Sequence, residues 1–527
     1  MASERSVLDS CSYDEVCPVH LGNIHERRPA ALVARATPLA FFLLVTLLAV
    51  ALALLSPRLL LILCAAFNLS IGLGMTQSGL MCILGARTLR ERLRGESLCR
   101  EDASEGAAER LVGRPSGVVH LVVIPSYCEE EQLLSLSLEA IAQADGSEAF
   151  HVVLAMEERE CDGQQKALRL REKFAQRFAR VEVTSHPTGL RELHLDGSSD
   201  AEVPGKASNL KWAVRQFYEQ CQLDGLDAER VLLTVADADA IFHPSYFDQI
   251  GCEFETLCGL PNAELHRWTM WQAPQLPFRN FQSAPMVSRV HAYTTSVYEF
   301  GGVSGLRYGA GHMVFSTYSL PLLLAVRARA HEGDVVAEDH HCHLRCSFYS
   351  IRAALLEASF LGKRGPGVFS PGPGPCASTS SSSSSSSSPP APGRAGGPGR
   401  GGQRPALRLR PLMLPVKATM VVSEQGVLQT WRDRWTQARR HAQGVAELSF
   451  ALLATWDTAR WLPPDAAVAS AVLWRALRLV HQMLWSSPTC SSSRRASGSP
   501  PGTRVGRQPP GARRTGAWRA RQRWASG

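Results

Sequence analysis

"VLLTVADADAIFHP", Val231 to Pro244, runs five mostly apolar, strand-forming residues into two aspartates spaced one apart. Side chains at i and i+2 of an extended segment share a side, so Asp237 and Asp239 can converge on one cation. A plainer reading stands beside it: a polar strand end closing in an Asx-type turn. What the chain places around the segment decides between them.

Working outward, "VVHLVVIPS" reads as a buried strand, and "HVVLAM" and "VEVTSH" as further strands. "EEEQLLSLSLEAIAQA", "GQQKALRLREKFAQRFA" and "KASNLKWAVRQFYEQ" have helical periodicity. Strands alternating with helices predict a parallel α/β sheet, in which ligands sit beyond the carboxyl ends of the strands. Ser126 to Glu130, Glu157 with Glu158, and Asp237 with Asp239 all fall at such ends.

Nearer the N-terminus, Thr37 to Ser56 and Leu59 to Ala86 are long runs without a charged residue, joined by "SPR". Each is long enough to cross about 30 Å of hydrocarbon as a helix, which predicts a transmembrane hairpin over 37–86. Arg27, Arg28 and Arg35 precede it and Arg87, Arg90, Arg92 and Arg94 follow it. The positive-inside bias then puts both ends, and everything downstream until another span, on the cytoplasmic side of an integral membrane protein. The 527 residues carry a formal charge of +8, but Ser486 to Gly527 holds nine arginines and no acid, leaving about −1 on the rest. The basic pI therefore points to no specific nucleic-acid partner, and contact of this tail with anionic lipid or RNA would be nonspecific. The cysteines lack the spacing of a secreted disulfide framework, and "EDHHCHLRC" matches no paired zinc-ligand pattern.

Five segments now line up in one order. "IPSYCEE" resembles the P-x-Y-N-E opening of family 2 glycosyltransferases, and "GKASNLKWA" their lysine-containing segment. "ADADA" resembles the D-x-D of cellulose-synthase-like and polysaccharide-synthase-type members, "AEDHH" the later E-D pair, and "QARRHAQG" the Q-x-x-R-W motif. The resemblance implies a glycosyltransferase A-type (Rossmann-like) α/β domain, a nucleotide-sugar donor (usually a UDP-sugar), Mg²⁺ or Mn²⁺, and inversion at the anomeric carbon. It assigns Asp339 as catalytic base with Glu338 beside it, and Asp237 and Asp239 to the metal. Tyr127, Glu129, Glu157, Lys206, Asp237, Gln437, Arg440 and His441 fall to the donor and its neighbourhood. Departures are His441 for the family tryptophan, Cys128 for asparagine, and Glu157 or Glu158 where an aspartate is usual.

Such residues suit the chemistry. Charge builds on the leaving phosphate as the bond to the sugar breaks, and a hard divalent cation held by carboxylates absorbs it. Single displacement also needs a base on the opposite face to take the acceptor hydroxyl's proton. The bland alternatives are a solvated helix start for Lys206 and a capping acid for Asp339.

The expected organisation is a cytosolic segment at 1–36, the hairpin at 37–86, a linker at 87–115 and the catalytic domain at 116–361. A low-complexity insertion follows at 362–408, then the end of the catalytic domain with its Q-x-x-R-W-like motif and an interface helix at 409–460. A possible membrane-associated helix at 461–485 and a disordered basic tail at 486–527 complete it. Three functions fit: β-glycan synthesis, transfer of one sugar to a lipid acceptor, and an inactive scaffold or partner membrane subunit.

Overall fold

The computed structural model describes residues 28–93, 117–193, 199–260, 264–309, 313–333, 335, 337–363, 407–423, 425–442, 445–463 and 466–486. It opens with two helices, α1 (Arg28–Leu55) and α2 (Pro57–Leu93). Within α2, Pro57–Glu91 is long and apolar enough to cross a membrane, its most apolar 18 residues having a mean hydropathy of 2.0; the apolar stretch of α1, Leu39–Leu55, is shorter.

The next elements follow the alternation expected above: β1 (Val119–Pro125), α3 (Glu131–Ile141), β2 (His151–Glu157), α4 (Gly163–Phe174) and β3 (Arg180–His186). A short antiparallel pair, β4 (Arg191–Leu193) and β5 (Ser199–Ala201), leads to α5 (Lys206–Asp224) and β6 (Val231–Val235). Helix α5 ends at Gly225, whose φ of 66° is the left-handed conformation that glycine adopts most cheaply at a helix end. Then come α6 (Tyr246–Cys258), β7 (Thr269–Gln272), β8 (Gln275–Leu276), α7 (Met286–Gly305), β9 (Tyr318–Pro321), α8 (Leu322–Arg327) and α9 (Glu338–Lys363). After residues 364–406 the chain returns as β10 (Arg408–Pro411), β11 (Val416–Lys417), α10 (Val427–Ala442), α11 (Val445–Ala459) and α12 (Ala466–Ser486).

Seven strands form one sheet in the order β10-β7-β9-β6-β1-β2-β3. All run parallel except β9, which is antiparallel to both its neighbours. The chain lays down β1, β2 and β3 outward and then crosses back to place β6 on the other side of β1. Strand order therefore reverses between β1 and β6, which is where an open α/β sheet leaves a crevice for a ligand.

Alternate residues of β1 feed two cores. Val122 and Ile124 pack with Leu134, Leu154 and Phe247 on one face, while Leu121 and Val123 pack with Leu210, Phe217 and Leu233 on the other. All of these are buried, and each such side chain stabilises the fold by roughly 1.5–3 kcal/mol. A third core joins Leu344 and Phe348 of α9 to Phe450 of α11 and Leu479 of α12. Helix α12, which the sequence offered as a membrane-associated segment, thus buries one face against α9 and α11. It leaves Leu473, Trp474 and Leu477 exposed.

Helix α7 lies along α2, running the same way. Ser78 meets Gly301, Gly85 meets Ser304, and Thr88 accepts a hydrogen bond from Arg307 at 3.1 Å. A methyl group at Gly301 would sit 2.3 Å from the Ser78 carbonyl oxygen, so only glycine lets the helices approach this closely. Helix α9 continues through Lys363 because no proline intervenes before Pro366, and β10 begins at Arg408.

Candidate active site

The crevice is built by the segments that leave β1, β2 and β6. Ser126 N–H donates to Ala155 O at 2.9 Å and Ala236 N–H to Val123 O at 3.0 Å, so the three strand ends depart side by side. Strand β6 stops at Val235, and Asp237 to Ala240 form a turn closed by Ala240 N–H to Asp237 O at 3.0 Å. The two aspartates therefore project from a turn, not from the extended strand on which their convergence was argued. Ser137 of α3 donates to Ala238 O at 2.8 Å and pins that turn from the other side.

Turn geometry sends the carboxylates to different partners. Asp237 Oδ1 accepts from Lys206 Nζ at 2.7 Å and its Oδ2 from Gln275 Nε2 at 3.3 Å. Asp239 Oδ2 accepts from Thr419 N–H at 2.7 Å and also from the Thr419 hydroxyl, while Arg279 holds the Asp239 carbonyl at 3.0 Å. Burial, together with the charge of nearby Asp237, raises the pKa of Asp239 against the lowering effect of Thr419 and Arg279.

Lys206, at the start of α5, has a second partner: Nζ lies 2.7 Å from Glu338 Oε1. One largely buried ammonium thus ties the D-x-D turn to the first residue of α9. Beside it, Asp339 accepts Ser316 N–H at 2.8 Å on Oδ2 and His340 N–H at 2.9 Å on Oδ1. These bonds orient the carboxylate and leave each oxygen a further lone pair. Ser316 takes a φ of 49°, a costly value for a non-glycine residue, and this turn aims its N–H.

Five carboxyl groups, those of Asp237, Asp239, Glu299, Glu338 and Asp339, gather around Lys206 and Arg279. Among the described residues no group of three or more His, Cys, Asp or Glu is arranged as a metal-ion ligand set. A site with two hard carboxylates still fits Mg²⁺ or Mn²⁺, which bind through one or two carboxylates and complete their shell with substrate phosphates and water. Acid in excess of base in a buried cluster favours such a cation.

The other sequence-derived residues lie elsewhere or are only partly visible. Tyr127 and Glu157 sit at the ends of β1 and β2 and share Arg159. Its guanidinium lies 3.9 Å from the Tyr127 ring centroid and pairs with the Glu157 carboxylate. The Glu129 carbonyl accepts Lys166 Nζ at 2.7 Å. Gln437, Arg440 and His441 belong to α10, but their side chains lie outside the described residues.

Sequence reading missed Gln275, Glu299, Ser316 and Thr419. Glu299, on α7, is buried among Asp237, Asp339 and the Gln275 backbone; burial first, and then the two aspartates, push its pKa well above the usual carboxyl range.

No family model matches the chain, and no curated protein matches it. Solved structures with some similarity include the mannosyltransferase PcManGT from Pyrobaculum calidifontis in complex with GDP-Man and Mn2+. It is 13% identical, over 78% of this chain and 84% of that one, with a TM-score of 0.34. S. aureus TarS is 8% identical over 70% of this chain and 55% of that one, with a TM-score of 0.27. Superpositions this loose carry no residue role from those proteins to this one.

Proposed function

We propose that this protein is a membrane-anchored glycosyltransferase with an A-type fold, which moves a sugar from a nucleotide-sugar, a UDP-sugar, to a growing β-glycan with inversion. The observation that carries the reading is Lys206: its ammonium joins Asp237 to Glu338 and so draws two motifs 101 residues apart into one cluster at the sheet's reversal point. A sheet needs no such buried charge cluster for stability, since desolvating ionic groups costs several kcal/mol each.

In this reading the donor lies across the ends of β1, β2 and β6, its base near Tyr127 and Glu157 and its diphosphate near Lys206. Asp237 and Asp239 are the residues that would hold Mg²⁺ or Mn²⁺, which when bound supplies Lewis-acid stabilisation of the leaving diphosphate. Asp339, held by Ser316 and His340 N–H groups, takes the proton of the acceptor hydroxyl. The acceptor oxygen then bonds to the anomeric carbon as the nucleoside diphosphate leaves from the opposite face. Arg440 and His441 serve the diphosphate and the acceptor. Helices α1 and α2 anchor the enzyme, with its catalytic side in the cytoplasm.

A lipid-borne acceptor is the second reading. The exposed Met286, Val290, Tyr293 and Val297 form one apolar face on α7, beside the hairpin, and favour it.

The test is nucleotide release from a panel of UDP-sugars by purified protein with Mn²⁺ or Mg²⁺, with organic extraction to distinguish glycolipid from polymer. Metal-dependent release from one sugar is expected, with Asp339→Asn slower by about 10²–10⁴-fold, the usual contribution of a general base. Release that persists undiminished in the variant would remove Asp339 from the chemistry.

A further inference from the structure

Around Asp237 and Asp339, three polar atoms have no hydrogen-bond partner among the described residues although each is shielded from solvent: Glu299 Oε2, Gln275 Oε1 and Ser316 Oγ. They are connected. The Gln275 N–H bonds the Glu299 carboxyl, the Gln275 amide Nε2 bonds Asp237, and the Ser316 N–H bonds Asp339. The residues that clasp the two aspartates thus also carry the unpartnered atoms, and Glu299 faces both aspartates from α7.

Burying a polar atom without a partner forfeits its hydration, and native interiors rarely leave one so unless water, an ion or a ligand completes it. Here three belong to residues that bond Asp237 or Asp339 or face both. An anion is disfavoured by the surrounding carboxyls, and an apolar group would leave the atoms unsatisfied. A sugar ring suits them, because hydroxyl groups donate to the amide and carboxyl oxygens and accept from the serine hydroxyl.

We propose that Glu299, Gln275 and Ser316 form the subsite that grips hydroxyl groups of the acceptor sugar, with Glu299 as its principal binding residue. This rests on the glycosyltransferase reading. Position supports it: the acceptor oxygen must lie between the donor's anomeric carbon, near Asp237, and the base Asp339. Glu299 borders both. The acid arrives on the same helix that packs along α2, so the hairpin and the acceptor share one support.

The experiment uses the full-length protein, UDP as donor-site probe, the UDP-sugar found active, and free monosaccharides and β-linked disaccharides as acceptors. Glu299→Leu should raise the acceptor KM at least tenfold while UDP affinity stays within twofold. Glu299→Gln, which keeps a polar group there, should recover to within threefold of wild type. Thermal stability of Glu299→Leu should hold, since removing a buried acid with an unsatisfied Oε2 offsets the loss of its bond from the Gln275 N–H.

A lower melting temperature with unchanged acceptor KM would reduce Glu299 to a structural residue and overturn the assignment. So would weakened Mn²⁺ or UDP binding with unchanged acceptor KM, which would move Glu299 to the donor. A wild-type protein that neither binds UDP nor transfers any sugar would sink the glycosyltransferase reading, and this subsite with it. An active wild type with an indifferent Glu299→Leu would sink the subsite alone.

Discussion

At the scale of single residues, Lys206 matters most. Both its carboxylate partners are buried and Lys206 itself is largely so, and removing one member of such an ionic cluster leaves the others uncompensated. Lys206→Ala should lower unfolding free energy by about 3–5 kcal/mol in urea titrations, beyond any effect on turnover. A near-neutral result would mean that water or a cation already screens the two acids. Arg159 makes a second case. It covers the Tyr127 ring and holds Glu157, so a base that stacks on Tyr127 must first displace it. Arg159→Ala should tighten UDP binding about two- to fivefold by calorimetry, matching the ~0.5–1 kcal/mol of an exposed cation–π contact. Weaker binding would instead put Arg159 on the base's other face. Lys206, Asp237, Asp239, Glu338 and Asp339 were all legible as candidates because each sits in a short motif. Glu299, Gln275, Ser316 and Thr419 were not, for each reaches the site from a segment whose local pattern is that of an ordinary helix, strand end or loop.

Elements show a similar division. Strands β1, β2 and β6 announce themselves as apolar runs, because a strand buried on both faces has no polar side to show, whereas the half-buried edge strand β3 reads through its alternation. The reversed β9 and the return of β10 to the sheet edge leave no such mark; their places depend on pairing with distant strands. Helix α9 illustrates what pairing adds. His341, two residues past Asp339, lies 2.6 Å from Glu332 through Nε2 and 2.6 Å from Glu447 of α11 through Nδ1. Burial alone would push its pKa down, but Glu447 and Glu332 override it and lift it from 6.5 to about 10. Arg345 pairs with the same Glu332, and the Phe450 ring packs on the imidazole. A pKa raised on folding stabilises fully below the unfolded value, and the gain is lost as pH rises through the folded one. The stability gap between wild type and His341→Asn should therefore be widest below about pH 6.5 and close by about pH 10. A gap that stayed constant over that range would mean the imidazole is neutral in the folded protein.

For the molecule as a whole, the alternation of strands and helices and the long apolar hairpin made the broad layout readable. How hairpin and sheet domain meet was not, because it depends on small residues facing one another: Gly85 against Ser304, Gly301 against Ser78. At that meeting α7 has almost no slack, and Gly301 stands two residues from Glu299. A span whose apolar length mismatches the bilayer tilts to compensate. If α2 spans a bilayer as proposed, its tilt would be handed to α7 as a rigid displacement, and Glu299 would move with it. On the proposed glycosyltransferase reading, lipid thickness would then control catalysis. In nanodiscs of short-chain against long-chain phosphatidylcholine, the acceptor KM should shift severalfold while UDP affinity holds, and loosening the joint with Gly301→Leu should erase the difference. The two packed helices would then work as a gauge, reading the width of the membrane and reporting it to the sugar.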